Sequence, residues 1–331
     1  MHRLEVLLRS VLTSAIARPM WTWARNLLGI GILAWLGWRL GTGPFLDGVR
    51  AIDRSSLVVA TVIGAVTTSC CAWRWRLVAG GLGVRLPMRE AVAACYRSQF
   101  LNMTLPGGVV GDVHRAVRHG RDVGDVGLGV QAVVLERVAG HVVQVVLAVT
   151  VLAAFPSPVR SHLPAVLAVL AAVGLVVAVL AFGVSRGGSI RWVAALARSL
   201  SRMRLGLLTP RLWAGVVFTS AVVLAGQLAT FVLAARVSGS AAPLALLVPL
   251  TLFALMAMAV PLHVAGWGLR EGAAAWVFGA AGLTATQGVA TAVTYGVLTL
   301  VAGLPGAAVL LFGRLGARTP VAALAQGEAN G

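Results

Sequence analysis

The chain has 331 residues, of which 59% are hydrophobic and only 11% are charged, and its mean hydropathy is +0.90. A soluble globular domain has about 25% charged and 45–50% apolar residues, so this composition excludes a water-soluble fold. The net charge of +17 comes from 27 basic and 10 acidic residues, and every basic residue is arginine. The placement of these arginines therefore needs a physical explanation.

Long apolar runs predict an all-α, polytopic transmembrane helical bundle, because a helix needs about 20 apolar residues to cross a bilayer. Seven runs are candidate spans: Asn26–Leu40, Leu57–Trp73, Val130–Phe155, Leu163–Val184, Leu212–Ala235, Pro243–Pro261 and Val289–Phe312. Two further runs, Ala91–Leu105 and Ala273–Leu283, are too short or too polar for a standard crossing. We predict them as re-entrant or broken helices, which gives about seven or eight spans plus one or two such segments.

The arginines are distributed unevenly between the two sides of this predicted bundle. With a cytoplasmic N-terminus, the inward segments 1–26, 74–125 and 186–211 hold eighteen arginines and the outward loops 39–56, 156–162 and 236–242 hold five. This excess follows the positive-inside rule and predicts a cytoplasmic N-terminus. It also favours anionic lipid over nucleic acid as the partner of the basic surface. The side of the C-terminus stays open, because it depends on whether Ala273–Leu283 crosses.

The same runs divide the chain into three parts. We predict a basic cytoplasmic N-terminus over 1–25, a transmembrane domain over 26–312 and a short polar tail over 313–331.

The first polar feature is a break rich in proline and glycine between two apolar runs. Its candidate site residues are Asn102, Pro106, Gly107, Gly108, Gly111, Asp112 and Arg115. Such a break lets backbone N–H groups converge where a helix restarts, and a helix N-terminus attracts phosphate. Asp112 could cap that helix or pair with Arg115. The pattern predicts either an anion site or a tight loop before a capped helix.

Two adjacent ionisable residues, Glu136 and Arg137, lie inside the third predicted span. An ionisable residue at membrane depth costs about 2.5–3.5 kcal/mol on insertion scales, so its default explanation is function or pairing. Helical spacing places Arg137, His141 and Gln144 on one stripe, and Gly140 would let a neighbouring helix approach. We predict a lipid-headgroup site here, or an internal salt bridge that fixes helix packing.

A second break, within Pro261–Gly272, mirrors the first, and its candidate site residues are Gly268, Arg270 and Glu271. Two breaks in corresponding places of two halves indicate a binding site near the bilayer midplane in transporters. At the end of the second span, Arg74, Trp75 and Arg76 are typical of interface anchors.

Motifs for several enzyme classes are missing from the chain. Without lysine there is no Walker A loop, and no HExxH zinc motif occurs. The six histidines never form a ligand-spaced pair in a span. We therefore predict no catalytic residue, no metal and no cofactor, and a protein that is not an enzyme.

These features in this order resemble the transmembrane region of bacterial lysylphosphatidylglycerol synthases, which also occurs as stand-alone flippase-like proteins. The motifs that carry the resemblance are Arg74-Trp75-Arg76-Leu77, Asn102 to Arg115 with Leu105-Pro106-Gly107-Gly108, Leu135-Glu136-Arg137, Gly266 to Gly272 and Leu304-Pro305-Gly306. They cover the chain from about residue 26 to 312. Val110, His263, Ala265 and Trp267 depart from the pattern, which puts the identity of the lipid in doubt.

The resemblance implies a multi-pass protein of the bacterial inner membrane that binds, and moves between leaflets, a phospholipid or related anionic lipid. Family members of this kind handle an aminoacylated phospholipid, and the soluble aminoacyltransferase domain of bifunctional members has no counterpart in this sequence. The expected partners are lipids with anionic phosphate headgroups, and no nucleic acid. Two alternatives stay open: a non-catalytic partner of a separately encoded glycan- or lipid-modifying enzyme, and an intramembrane polyprenyl-phosphate transferase that uses Asp112 or Glu136 as base.

Overall fold

The structure is a computed structural model, and it describes residues 27, 30–105, 108–154, 210–258 and 267–315. The described residues form a helical bundle, as the sequence predicts. The helices are α1 Ile30–Leu40, α2 Gly43–Arg50, α3 Arg54–Gly81, α4 Met88–Thr104, α5 Val110–Asp122, α6 Val126–Ala154, α7 Pro210–Val237, α8 Leu244–Ala257, α9 Leu269–Ala280, α10 Ala285–Gly303 and α11 Pro305–Leu315. The predicted span Leu163–Val184 and most of the predicted termini lie outside the described residues.

Four stretches of the described chain are long and apolar enough to cross a membrane. They are α3, α6, α7 and the stretch Ala285–Phe312, which combines α10 with most of α11. Each contains or closely matches one predicted span, because an uninterrupted apolar run of this length has no other stable environment. Valines exposed at every fourth position of α6 form a stripe suited to contact with acyl chains. They are Val134, Val138, Val142 and Val146.

Two predicted spans correspond to shorter helices. α1 matches the end of Asn26–Leu40. α8 covers 14 residues of the predicted Pro243–Pro261 span and is about 21 Å long, less than the roughly 30 Å of a hydrocarbon core. Pro249 lies inside α8 and removes one backbone donor from it. Residues 259–266, where the predicted span would end, lie outside the described residues.

The segment predicted as Ala91–Leu105 is α4, and together with α5 it forms a helical hairpin. Side-chain hydrogen bonds connect residue 98 to 112 and residue 95 to 115, so α5 runs back alongside α4. At the start of α5, a Cβ on Gly111 would collide with the backbone of Ser98, so only glycine permits this close approach. A chain that returns on itself in this way has the geometry that a re-entrant segment requires.

The segment predicted as Ala273–Leu283 corresponds to α9, which turns directly into α10. A Cβ on Gly288 of α10 would collide with the backbone of Ala274, so these two helices are in backbone contact. Thr284 caps α10 by accepting a hydrogen bond from the N–H of Gln287 at 3.1 Å. The second break therefore precedes a helical hairpin, whereas the first break lies within one.

The long helices surround the middle of the bundle, where small residues let them approach. On α7, a Cβ at Gly226 would collide with Thr67 of α3. On α3, a Cβ at Gly64 would lie 2.6 Å from Ala302 of α10. Small residues at helix contacts are typical of membrane bundles, in which close packing replaces the hydrophobic effect as the driving force. The N-terminus of α3 is capped by Asp53, and hydrogen bonds from Ser55 and Ser56 hold the pKa of its carboxyl at about 2.

Candidate functional site

A cavity of about 330 Å³ lies where α3, α4, α6, α7 and α10 meet. The residues that α3, α6 and α7 contribute come from the central parts of these long helices, so the cavity lies near the middle of the apolar thickness. Its polar lining residues are Thr67, Thr68, Arg74, Gln99, Asn102, Arg137, His141, Gln144, Ser220, Gln227, Thr230, Arg270, Tyr295 and Thr299. Glycines 64, 108, 140, 226, 296 and 303 also line it and leave room for these side chains.

Glu136 is the centre of a buried charge cluster beside this cavity. Its Oε1 accepts hydrogen bonds from Nε and Nη2 of Arg74, at 2.9 and 2.6 Å, and its Oε2 accepts one from Nη2 of Arg115 at 2.9 Å. All three side chains are buried. A buried carboxylate between two guanidinium groups satisfies its acceptors completely, and this arrangement holds α3, α5 and α6 together.

Asp112 is the second carboxylate of the cluster. Its Oδ1 accepts hydrogen bonds from Ser98 at 2.9 Å and from Nη2 of Arg137 at 2.7 Å, and it lies 3.3 Å from Nη2 of Arg115. Its Oδ2 accepts a hydrogen bond from Nδ2 of Asn102 at 3.1 Å. Asp112 therefore pairs with Arg115, one of its two predicted roles, while the N-cap position of α5 is Val109, which makes no side-chain cap.

Arg137 is the most accessible cation of this cluster. Its side chain keeps 36% of its surface exposed, whereas Arg74 and Arg115 keep 6% and 2%. It lines the cavity together with His141 and Gln144, which confirms that these three residues share a stripe of α6. Only part of its donor capacity is used within the cluster, because Nη2 reaches Asp112 while Nε lies 3.8 Å from Glu136. Arg137 is therefore the cation of the cluster best able to meet a ligand.

The interpretation of Arg74 and Trp75 as interface anchors is wrong. α3 continues past them to Gly81, and both side chains are buried, with only 1% of Trp75 exposed. The ring of Trp75 lies 4.6 Å from Cζ of Arg115 and packs edge-on against His119. Trp75 thus supports the charge cluster through a cation–π contact. Of the three predicted anchors, only Arg76 is exposed.

A second buried ion pair lies across the cavity, at the start of α9. Arg270 donates from Nε to Oε1 of Glu271 at 2.9 Å, and its Nη2 contacts the same oxygen. Oε2 of Glu271 accepts a hydrogen bond from the N–H of Gly268 at 2.7 Å, which closes the first turn. Gly268 has a φ of 104°, a conformation that favours glycine. The guanidinium of Arg270 also stacks between the rings of Trp267 and Tyr295.

The cluster around Glu136 and the Arg270–Glu271 pair, which we call the second cluster, are arranged in the same way relative to the cavity. Arg74, Arg137 and Arg270 line it, whereas the carboxylates that hold them do not. Glycine of a neighbouring helix lies directly against two of these guanidinium groups: Gly140 contacts Arg74, and Gly296 contacts Arg270. Among the described residues, the cavity thus presents three cations and no anion. It is built to accept negative charge.

In the described part of the glycine-rich break, one of the backbone N–H groups predicted to bind an anion is already occupied. The N–H of Gly111 already donates to Oδ1 of Asn102 at 2.7 Å, so it is not free for a phosphate. Gly108 lines the cavity with a φ of 60°. Pro106 and Gly107 lie outside the described residues.

A family model described as "Lysylphosphatidylglycerol synthase TM region" matches residues 23–306. The chain belongs to this family. This confirms the resemblance found in the sequence and makes the protein a multi-pass integral membrane protein with a lipid-related role. A comparison with curated proteins found no match.

Several residues of this family member's cavity could not be singled out from the sequence. Ser220 is uncharged and therefore gives no signal in the sequence. Its hydroxyl oxygen accepts a hydrogen bond from Nη1 of Arg74 at 3.1 Å. Gln227 and Tyr295 also line the cavity from within apolar runs. The available signal was the rarity of such polar side chains inside spans, since each must find a partner or a cavity. Within the described ranges, no three His, Cys, Asp or Glu side chains come together as metal ligands.

The contact between Gly140 and Arg74 provides a first prediction. A Cβ at position 140 would lie 2.7 Å from Cζ of Arg74, whose guanidinium is held by Glu136 and cannot move away freely. We expect Gly140→Ala to destabilise the protein by about 1–3 kcal/mol, as overpacking does in a dense core. Thermal unfolding in detergent measures the change.

The control for this prediction is Gly80→Ala in α3, where nothing lies within 4 Å of the added methyl group. It should leave stability unchanged or raise it by up to about 1 kcal/mol, because alanine favours the helix. Equal unfolding temperatures for the two variants would contradict the proposed contact.

Proposed function

We propose that this protein binds a lipid by its anionic phosphate headgroup and moves it between the leaflets of the bacterial inner membrane. The observation that carries this proposal is the cavity lined by three arginines with their carboxylates behind them. Membership of a lipid-related family supports it.

The location of the cavity fits the physical problem of lipid translocation. A phosphate headgroup cannot cross hydrocarbon unaided, because stripping a charge of its water is very costly. A polar cavity at mid-depth replaces part of that hydration with arginine N–H groups and neutral polar side chains. The acyl chains can remain in the bilayer, since the cavity needs to hold only the headgroup. Movement of one half of the bundle against the other would then open it to each leaflet in turn.

The carboxylates do not favour an intramembrane transferase. Asp112 accepts hydrogen bonds from four side chains, and Glu136 is held by two arginines. A carboxylate held in this way is a poor general base, because its charged form is already strongly stabilised. We therefore propose a non-enzymatic protein with lipids as partners, acting alone or beside a separately encoded lipid- or glycan-modifying enzyme. We also propose that its N-terminus is cytoplasmic, from the distribution of arginines.

The test is lipid movement in proteoliposomes. Full-length protein is reconstituted with fluorescent phosphatidylglycerol, and dithionite quenching reports the fraction that changes leaflet. We expect Arg137→Gln to reduce the rate about tenfold or more, because a hydrogen bond to a charged group is worth about 1.5–3 kcal/mol. Arg121→Gln, which changes an exposed arginine of α5 outside the cavity, should leave the rate unchanged. Equal rates for wild type and Arg137→Gln would reject the site.

A further inference from the structure

The charges around the cavity do not balance. The first cluster contains three arginines, Arg74, Arg115 and Arg137, and two carboxylates, Asp112 and Glu136. In the second cluster, Arg270 and Glu271 neutralise each other. The described side chains therefore leave one positive charge uncompensated beside the cavity. Arg137 is the most exposed of the three arginines and is the one that a ligand can reach. A single negative charge on the ligand would neutralise this excess.

Among the described residues, no carboxylate lines the cavity to receive a cationic ligand. The chain has ten acidic residues, and none of the eight in the described ranges lines the cavity. The remaining two, Glu5 and Glu328, belong to the ends of the chain, so the undescribed segments between the described helices contain no acid. An ammonium group in the cavity would meet the uncompensated charge at Arg137, beside Arg74 and Arg270, which are already paired with carboxylates, and no described carboxylate lines the cavity to receive it. Like charges placed together in this way exclude a competing ligand.

The rest of the polar lining is neutral and able to bind hydroxyl groups. Oε1 of Gln227 is buried and has no hydrogen-bond donor within the part of the chain that the structure describes. Asparagine, glutamine, threonine and serine side chains account for most of the other polar positions. A hydroxyl-bearing ligand would supply the donor that Gln227 lacks, since a buried acceptor without a partner is costly.

The size of the cavity limits what can enter. A volume of about 330 Å³ is near the lower end of the roughly 300–1,000 Å³ of ligand pockets. It suits one phosphate and a small polar group, with the lipid chains outside.

We infer that the headgroup is a phosphodiester joined to an uncharged, hydroxyl-bearing group, and that a headgroup carrying an amine is rejected. This inference rests on the proposed function and specifies its substrate class. It distinguishes the chain from the aminoacylated lipid named in the family description. Two kinds of lipid have this chemistry: a glycerophospholipid such as phosphatidylglycerol and a polyprenyl phosphosugar.

The test is equilibrium binding to purified, delipidated full-length protein in a neutral detergent. The probes are short-chain phosphatidylglycerol, a short-chain polyprenyl phosphomannose, lysylphosphatidylglycerol, phosphatidylethanolamine and phosphatidic acid, with intrinsic tryptophan fluorescence as readout. We expect at least one of the first two to bind about tenfold or more tightly than both amine-bearing lipids. Whichever of these two lipids binds more tightly shows whether the ligand is a glycerophospholipid or a polyprenyl phosphosugar. Equal or tighter binding of lysylphosphatidylglycerol overturns the inference, and so does tightest binding of the phosphomonoester.

A charge variant tests the same point from the side of the protein. Gln227→Glu keeps the shape of the side chain and places a carboxylate in the lining. We expect the preference over lysylphosphatidylglycerol to fall about tenfold, with the unfolding temperature as a check on folding. Gln287→Glu makes the same change near the start of α10, outside the cavity, and should preserve the preference. An unchanged preference in folded Gln227→Glu would contradict the assignment of the cavity.

The two proposals fail separately. If labelled lipid moves in an Arg137-dependent manner but the amine-bearing lipid binds best, the substrate class is wrong and translocation stands. If the uncharged headgroup binds selectively but no lipid changes leaflet, the substrate class stands and translocation is wrong.

Discussion

Glu136→Gln is expected to lower the free energy of unfolding by about 3–5 kcal/mol, the usual cost of removing one partner from a buried ion pair. The carboxylate contacts both Arg74 and Arg115, and all three side chains are buried. Glutamine has the same shape but carries no charge and offers only one oxygen. It would leave two guanidinium groups with Asp112 as the remaining anion, so the contacts between α3, α5 and α6 would weaken together.

The measurement is thermal or chemical unfolding of purified protein in detergent. Glu90→Gln is the matched control, because Glu90 is exposed in the first turn of α4. Its loss removes a favourable interaction with the helix dipole and a surface interaction with His119, each worth less than about 1 kcal/mol. If the two variants were equally stable, the cluster around Glu136 would not hold the helices together.

The bundle itself could be predicted from the sequence because hydropathy and length are local properties. α3, α6 and α7 each contain a predicted span or match it to within a few residues. The stripe of Arg137, His141 and Gln144 could be predicted for the same reason, since it requires only the helical period. Of the two interpretations of Glu136 and Arg137, the internal ion pair is present in the structure. The lipid-headgroup site stays a prediction, and Arg137 lines the cavity in which it would lie.

The pairing of Arg74 with Glu136 could not be predicted, because the two residues are 62 positions apart on different helices. An arginine next to a tryptophan at the end of an apolar run looks the same whether it reaches water or a buried carboxylate. Trp75 was misinterpreted for the same reason, since its partners Arg115 and His119 come from α5. Tertiary contacts of this kind leave no periodic signal.

The distribution of arginines also has a second cause. Eight arginines lie in the predicted cytoplasmic segment 74–125, but Arg74, Arg97 and Arg115 are buried. Arg74 and Arg115 neutralise carboxylates inside the bundle and therefore say little about which side of the membrane the segment faces. The predicted orientation depends on the remaining, exposed arginines.

The two clusters place charge by the same rule although they are built from different helices. In each, a carboxylate lies behind an arginine, and a glycine of a neighbouring helix gives the guanidinium room. This arrangement keeps the cations charged at membrane depth, where an unpaired arginine would be costly. It also leaves Arg74, Arg137 and Arg270, and not their carboxylates, in the lining of the cavity. For Arg74 and Arg270, which are buried in ion pairs, a single substitution therefore changes stability together with any effect on the cavity.

Glu271→Gln is expected to cost about 3–5 kcal/mol of stability, because Arg270 would lose its counter-ion in a fully buried position. Glutamine can still accept the hydrogen bond from the N–H of Gly268, so Glu271→Ala should be less stable than Glu271→Gln by about 1 kcal/mol. Unfolding in detergent gives both values. Identical stabilities of the two variants would show that the bond to Gly268 contributes nothing.

A double variant separates the structural role of this pair from its role in the cavity. Replacing both members of a buried ion pair by neutral side chains is often neutral, because no charge is left without a partner. Arg270→Met combined with Glu271→Gln should therefore regain most of the stability that Glu271→Gln alone loses. Lipid movement should stay low, since Arg270 is one of the three cations that line the cavity. A double variant that is stable and moves labelled phosphatidylglycerol at the wild-type rate would confine Arg270 to a structural role and leave Arg137 as the cation that holds the phosphate.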